Sequence, residues 1–284
     1  MKDIALQVAR ERPSLGLHGL REYIQNYVLW LMQREGLNTR LFFMGGTALR
    51  FLWRIGRFSE DLDFSAGPDW EPEEFTGAMR KIESGLAAAG YVVYLHFGRE
   101  KTVQRAVFRF AELLAELGLA GRREQKLSIA LEIDTKPPGG ATGVKTLVNM
   151  HIPVLIQHHD LPSLLAGKAA AILTREYIKG RDYFDLFWFL SKWPELEPNL
   201  LMFRNALAQE RNREGSGEGA PSSRGAIDGA NQSRIGQERN WRAMLGRAVS
   251  EARWNLIETD VRAFIEDPDS LLAFTQENLL RLLG

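Results

Sequence analysis

The stretch FFMGGTALRFLWRIGRFSEDLDFS, residues 42–65, decides how the rest of the chain is read. "LFFM" (41–44) has the length and composition of a buried strand, "GGT" (45–47) is a turn, and "ALRFLWRIGR" (48–57) has helical spacing. "LDF" (62–64) then reads as a second strand inside an apolar setting. In a strand, Asp61 and Asp63 project from one face while Leu62 enters the core. Two neighbouring carboxylates repel each other and are costly to bury, so something cationic must offset them. An oxygen-only pair suits Mg²⁺. The backbone N–H groups of Gly45 and Gly46 at a helix N-terminus, with the Thr47 hydroxyl, form a phosphate cradle. Together these pieces describe a triphosphate beside one or two divalent ions, the arrangement of phosphoryl or nucleotidyl transfer. Asp-X-Asp alone occurs in many surface turns, and Gly-Gly-Thr alone joins many strands to helices. Only their ordered combination points to catalysis.

Working outward, a two-metal site wants a third carboxylate. "KLSIALEID" (126–134) alternates Leu127, Ile129, Leu131 and Ile133 with Ser128, Ala130, Glu132 and Asp134. Glu132 is the first candidate and Asp134 the second. "LREYIQNYVLWLMQREG" (20–36) and "EPEEFTGAMRKIESGLAAAG" (71–90) read as helices, "YVVYLHF" (91–97) and "TVQRAVFRF" (102–110) as a strand pair, and "PPGG" (137–140) as a break. The second half differs: "LPSLLAGKAAAILTREYIKGRDYFDLFWFLSKW" (161–193) is helical for most of its length, and helical periodicity returns in 199–210 and 241–284. Residues 211–240 are rich in Gly, Ser and mixed charge with almost no large apolar side chains, as in a flexible low-complexity insertion. The expected organisation is an α+β unit over 1–160 and a helical unit over 161–284.

Lys168 and Arg175, seven apart, share a helical face among small apolar neighbours, and an ammonium there could meet a phosphate. Snorkelling from a core helix is the plainer reading. Asp182 and Asp185 follow one turn apart, as helix-start acids or site residues. Tyr183, Phe184, Phe187, Trp188 and Phe189 are expected in the core. Arg99, Lys101, Arg105, Arg109, Arg122, Arg123 and Lys126 together hint at an RNA platform, although each alone reads as surface charge. The five histidines pair with no Gly-X-Ser-X-Gly element, which disfavours a catalytic triad. "HHD" (158–160) could ligate a metal but reads better as a turn at the end of a strand.

Composition narrows the classes further. The 36 basic and 36 acidic residues cancel, whereas a sheath-like nucleic-acid binder is usually more basic, so any such contact must rest on local patches. With no cysteine there is no disulfide framework and no thiolate metal site. The opening "MKDIALQVARERPSLGL" lacks a signal-peptide apolar core, and no run approaches a membrane span, so a cytoplasmic protein without membrane contact is expected.

"GGTALRFLWRIGRFSEDLDF", "KLSIALEIDTKPP" and "GKAAAILTREYIKGRDYFDL" together resemble the AbiEii type of nucleotidyltransferase toxins, of type IV toxin–antitoxin (abortive-infection) systems, which include the MenT toxins. The resemblance runs from about residue 40 to residue 190. It implies a DNA polymerase β-like nucleotidyltransferase core with a helical C-terminal part. Asp61 and Asp63 would bind Mg²⁺, while Thr47 and the Gly45 and Gly46 backbone would hold the triphosphate. Lys168 would contact phosphates, Asp182 would match the late catalytic aspartate, and Ser59 lies where the family can carry a phosphorylatable hydroxyl. The implied reaction moves a nucleotide from an NTP to an RNA acceptor, the tRNA 3′ end, and a cognate antitoxin opposes it. The resemblance gives no role to 211–240. Two other readings use the same residues: a phosphotransferase on the same metal face, and a non-catalytic interaction module that keeps the fold.

Overall fold

The computed structural model describes residues 1–11, 16–98, 102–118, 126–215 and 240–284. Two units emerge, one of residues 1–137 with 143–159 and one of residues 138–142 with 160–284.

The first unit is built on a mixed seven-stranded sheet of β1 (Leu41–Met44), β2 (Leu62–Ala66), β3 (Val93–Phe97), β4 (Val103–Phe110), β5 (Leu127–Asp134), β6 (Gly143–Asn149) and β7 (Pro153–His159). Their order across the sheet is β3-β4-β5-β2-β1-β7-β6. β1 runs antiparallel to β2 and parallel to β7, and β2 is parallel to β5. The helices are α1 (Lys2–Glu11), α2 (Gly16–Arg34), α3 (Gly45–Trp53), α4 (Phe75–Ala88) and the single turn α5 (Leu113–Glu116).

Alternation makes the sheet two-sided. Phe43, Leu62, Phe64, Phe108, Ile129, Leu131 and Ile133 are buried on one face, in one core with Leu20, Ile24 and Val28 of α2 and Met79, Ile82 and Leu86 of α4. Each such side chain contributes roughly 1.5–3 kcal/mol by leaving water. The opposite face carries Asp63 and Ser65 of β2, Arg105 and Arg109 of β4, and Ser128, Glu132 and Asp134 of β5.

Three local readings change. Gly45 to Thr47 are the first turn of α3 rather than a turn ahead of it, and α3 stops at Trp53 because Arg54 adopts a left-handed backbone, φ 52°. Strands β6 and β7 occupy 143–159, where only a strand end at "HHD" was expected: six of the seven β6 residues are exposed and Val148 alone is buried, so its apolar alternation is weak. The long helical run 161–193 is two helices, α6 (Leu161–Thr174) and α7 (Gly180–Lys192).

The second unit adds α8 (Leu200–Gly215), α9 (Trp241–Glu251), α10 (Trp254–Arg262) and α11 (Gln276–Leu283). Asp160 caps α6, its carboxylate accepting from the Ser163 N–H at 2.9 Å. At the start of α7 a Cβ on Gly180 would lie 2.3 Å from the Ile257 carbonyl oxygen, so glycine lets α7 meet the α10 backbone. Tyr183, Phe184 and Phe189 are buried; Phe187 and Trp188 are only half-buried. No helix among the described residues is long and apolar enough to cross a membrane.

Candidate active site

The sheet register assembles the acidic site. Met44, Asp63, Glu132 and Arg105 are successive partners across β1, β2, β5 and β4. Register partners share a face, so Asp63 and Glu132 are neighbours. Arg105 Nε lies 3.0 Å from Glu132 Oε1. Asp134, the alternative third carboxylate, pairs in register with Ser65, and its Oδ1 accepts from the Lys136 N–H at 2.9 Å. The carboxylate beside Asp63 is therefore that of Glu132.

The Gly-Gly pair sets how closely these groups approach α3. Gly45 has φ +76°, and a Cβ there would sit 2.3 Å from Asp63 Oδ2. Asp63 thus rests in the space that a side chain at position 45 would fill. At the neighbouring glycine a Cβ would lie 2.6 Å from an Arg57 guanidinium nitrogen and 3.0 Å from Ser59 Oγ. Arg57 is 2% exposed. This buried guanidinium is a fixed cation within the motif, placed at the glycine next to the one Asp63 touches.

Several side chains hold the connection from α3 to β2. The Thr47 hydroxyl donates to the Asp61 carbonyl, and Thr47 is wholly buried. Gln25 of α2 donates to the carbonyls of Ser59 at 3.2 Å and Glu60 at 2.8 Å. Arg50 pairs with Glu22 at 2.6 Å and donates to the Ile55 carbonyl at 3.1 Å. Arg57 donates to the Phe58 carbonyl at 2.9 Å. These contacts fix the backbone that presents Asp61 and Asp63.

Thr47, expected at the triphosphate, has its hydroxyl turned to the Asp61 carbonyl. As a triphosphate ligand it would need an accessible hydroxyl; burial and its bond to Asp61 make it a brace for the aspartate loop. Gln25, Glu22 and Arg50 were not legible in sequence, because nothing in a helical period marks which polar residue will turn inward.

Asp61 and Asp63 offer a divalent ion oxygen ligands only. Among the described residues, no group of three or more His, Asp or Glu side chains is disposed to hold a metal. The three-carboxylate convergence with Glu132 is thus not assembled, Glu132 being paired with Arg105. Asp61 and Asp63 nonetheless fit magnesium's habit of taking one or two carboxylates and completing its shell with water and substrate phosphates. Gly45 leaves Asp63 Oδ2 the room for that role. "HHD" is structural. His159 Nε2 meets Ser65 Oγ at 2.8 Å, His158 Nε2 meets Thr146 Oγ1 at 2.9 Å, and Asp160 is the α6 cap.

In the second unit, Lys168 lies 2.7 Å from Asp182 Oδ1 and 2.8 Å from Asp185 Oδ2, and Arg175 also pairs with Asp182. Its ammonium therefore neutralises two buried carboxylates rather than standing alone among alanines. Burial alone would raise the Asp182 pKa, but Lys168 and Arg175 outweigh it and hold the carboxyl at about 2. Arg175 has left the helix, with ψ 132°, so tertiary packing rather than a shared helical face brings it to Asp182. A cavity of about 70 Å³ opens beside this cluster, lined in part by Arg175, Lys179, Asp182 and Tyr183. Burial lowers the Lys179 pKa, and Asp182 partly opposes that. Lys179 was not singled out in sequence, since one lysine in "YIKGRD" carries no pattern.

Of the basic platform, Arg105, Arg109 and Lys126 are described; Arg99, Lys101, Arg122, Arg123 and most of 211–240 lie outside the described residues.

The class these elements belong to is nucleotidyl transferase: residues 30–267 match the family model described as nucleotidyl transferase AbiEii toxin, type IV TA system. The chain belongs to this toxin family, and membership implies an antitoxin partner. No curated protein matches it. Among solved structures it is similar to a Helicobacter pylori protein described provisionally as a nucleotidyltransferase, at 17% identity, with 84% of this chain and 95% of that one covered and a TM-score of 0.44. It is also similar to JHP933 from Helicobacter pylori, at 17% identity, 89% and 96% coverage and a TM-score of 0.44.

Proposed function

We propose that this toxin is a Mg²⁺-dependent nucleotidyltransferase on a DNA polymerase β-like core, moving a nucleotide from an NTP to the 3′ hydroxyl of an RNA, with tRNA as the acceptor. The observation that carries the reading is Asp63 seated against Gly45 at the start of α3 and in register with Glu132. Asp61 and Asp63 would hold the magnesium, and the N–H groups of Gly45 and Gly46 at the α3 N-terminus would receive phosphate oxygens. Magnesium bound there would draw charge from the triphosphate and ease ionisation of the attacking hydroxyl. Thr47, by fixing the Asp61 carbonyl, keeps the carboxylates still, and Arg105 keeps Glu132 oriented beside Asp63. The new bond forms at the α-phosphorus and the bond to the pyrophosphate oxygen breaks, so the groups need only hold both ends in line. Lys168 and Asp182 are assigned to the same reaction by resemblance, the lysine to phosphate and the aspartate to the late acidic position. An NTP donor and a tRNA acceptor imply the cytoplasm.

The test is label transfer from α-labelled NTPs to total RNA. Asp63→Ala, folded by circular dichroism, should lose transfer entirely, and chelation of Mg²⁺ should do the same to the unaltered chain. Transfer of γ-label instead of α-label, or full activity in Asp63→Ala, ends the proposal.

A further inference from the structure

The polar face of the sheet does not stop at the acidic row. Tyr94 and His96 on β3 alternate with inward-facing residues and both are exposed, Tyr94 by 49%. Tyr94 is the register partner of Arg109, and His96 that of Val107. Arg109 and Arg105, four apart on β4, share that face, and Arg105 continues the row to Glu132 and Asp63. Lys126 Nζ lies 5.1 Å from the Tyr94 ring centroid. Arg109 and Lys126 are exposed as well. One continuous surface of the first unit therefore carries two exposed rings two residues apart, three cations, and the acidic row three strands away. At about 4.8 Å per strand, the rings stand about 14 Å from the β2 carboxylates.

We infer that Tyr94 and His96 form a stacking platform for unpaired bases of a single-stranded RNA end whose 3′ terminus reaches Asp61 and Asp63. Rings at alternate positions of an open sheet face present flat surfaces in series, and every base has a π face to lay on them. Arg105, Arg109 and Lys126 match the phosphates that such a strand carries past the rings. Paired bases in a duplex cannot be splayed onto rings, so the platform selects unpaired ends. The His96 row runs through Val107 to Ala130, beside the end of β2 where Asp61 stands. A strand laid along it arrives at the carboxylates within a few nucleotides. The choice of acceptor then lies in how many unpaired nucleotides precede the reacting hydroxyl. This rests on the reading of the acceptor as RNA.

The test is fluorescence anisotropy of a labelled oligouridylate with the full chain, in EDTA and without NTP, so binding is read apart from catalysis. Tyr94→Ala and His96→Ala should each weaken binding about tenfold, and Tyr94→Phe should restore it. Arg109→Ala and Lys126→Ala should each lower the salt slope by about one. The platform is overturned if the Tyr94→Ala/His96→Ala double variant binds as the unaltered chain does. A blunt RNA duplex bound equally well, or inorganic polyphosphate competing equally at matched charge, overturns it too. Binding that follows this pattern in a chain that transfers no α-label would keep the platform and remove the transferase reading. Transfer to RNA that ignores both rings would do the reverse.

Discussion

Gly45→Ala is the sharpest perturbation of this site. Two separate costs arise. The backbone at φ +76° lies in the left-handed region, where an L-residue costs about 1–2 kcal/mol. At about 2–4 °C per kcal/mol, that alone lowers the melting temperature of the first unit by several degrees and leaves it folded. The second cost falls on the chemistry. The new Cβ would be 2.3 Å from Asp63 Oδ2, whereas ordinary contact begins at 3.4 Å, so the carboxylate must retreat by about 1 Å. A misplacement of that size at a reacting centre costs on the order of 100-fold in rate. The expected outcome is a modest loss of thermal stability with about a hundredfold loss of transfer, two effects of very different size. Gly46→Ala has ordinary φ but meets the Arg57 guanidinium at 2.6 Å, so it should disturb the loop before β2 more than Asp63 itself. The measurement pairs differential scanning calorimetry with initial rates of α-label transfer at saturating NTP. A Gly45→Ala chain that melts a few degrees lower and transfers label at the normal rate would show that the placement of Asp63 is irrelevant, and the site assignment would fail with it.

Thr47→Val removes the donor to the Asp61 carbonyl and leaves that acceptor without it, costing about 1–3 kcal/mol. As a brace, Thr47 should affect kcat and leave KM for NTP nearly unchanged, with Thr47→Ser restoring activity; a rise confined to KM would return it to the phosphate ligands. Stability of the second unit should depend on pH through Asp182. Its folded pKa, about 2, lies below the ordinary 3.8, so its contribution is complete above about pH 4 and is lost as pH falls toward 2. The amount is about 2 kcal/mol, and Asp182→Asn should flatten that part of a urea-midpoint profile; an unchanged profile would show that the ion pairs with Lys168 and Arg175 do not govern it.

The sequence by itself determined the strands that carry chemistry. The alternation in 126–134 and the apolar runs about 41–44 and 62–64 leave one face for the core, so Asp63 and Glu132 had to share the other. It also determined the family, because the Gly-Gly-Thr and Asp-Leu-Asp elements occur in order with the later Lys and Arg-Asp motif. It did not reveal the β6–β7 pair, since β6 is an edge strand with mostly exposed side chains, and in β7 exposed Leu155 is as apolar as its buried neighbours Val154 and Ile156, so neither strand shows a polar–apolar period. Nor did it show that Thr47 faces the Asp61 carbonyl, or that Lys168 neutralises Asp182 and Asp185. Those facts depend on which distant polar groups meet once elements pack, and local periodicity holds no information about a partner far along the chain. Pattern sets which face a side chain takes; only packing in three dimensions sets what it meets there.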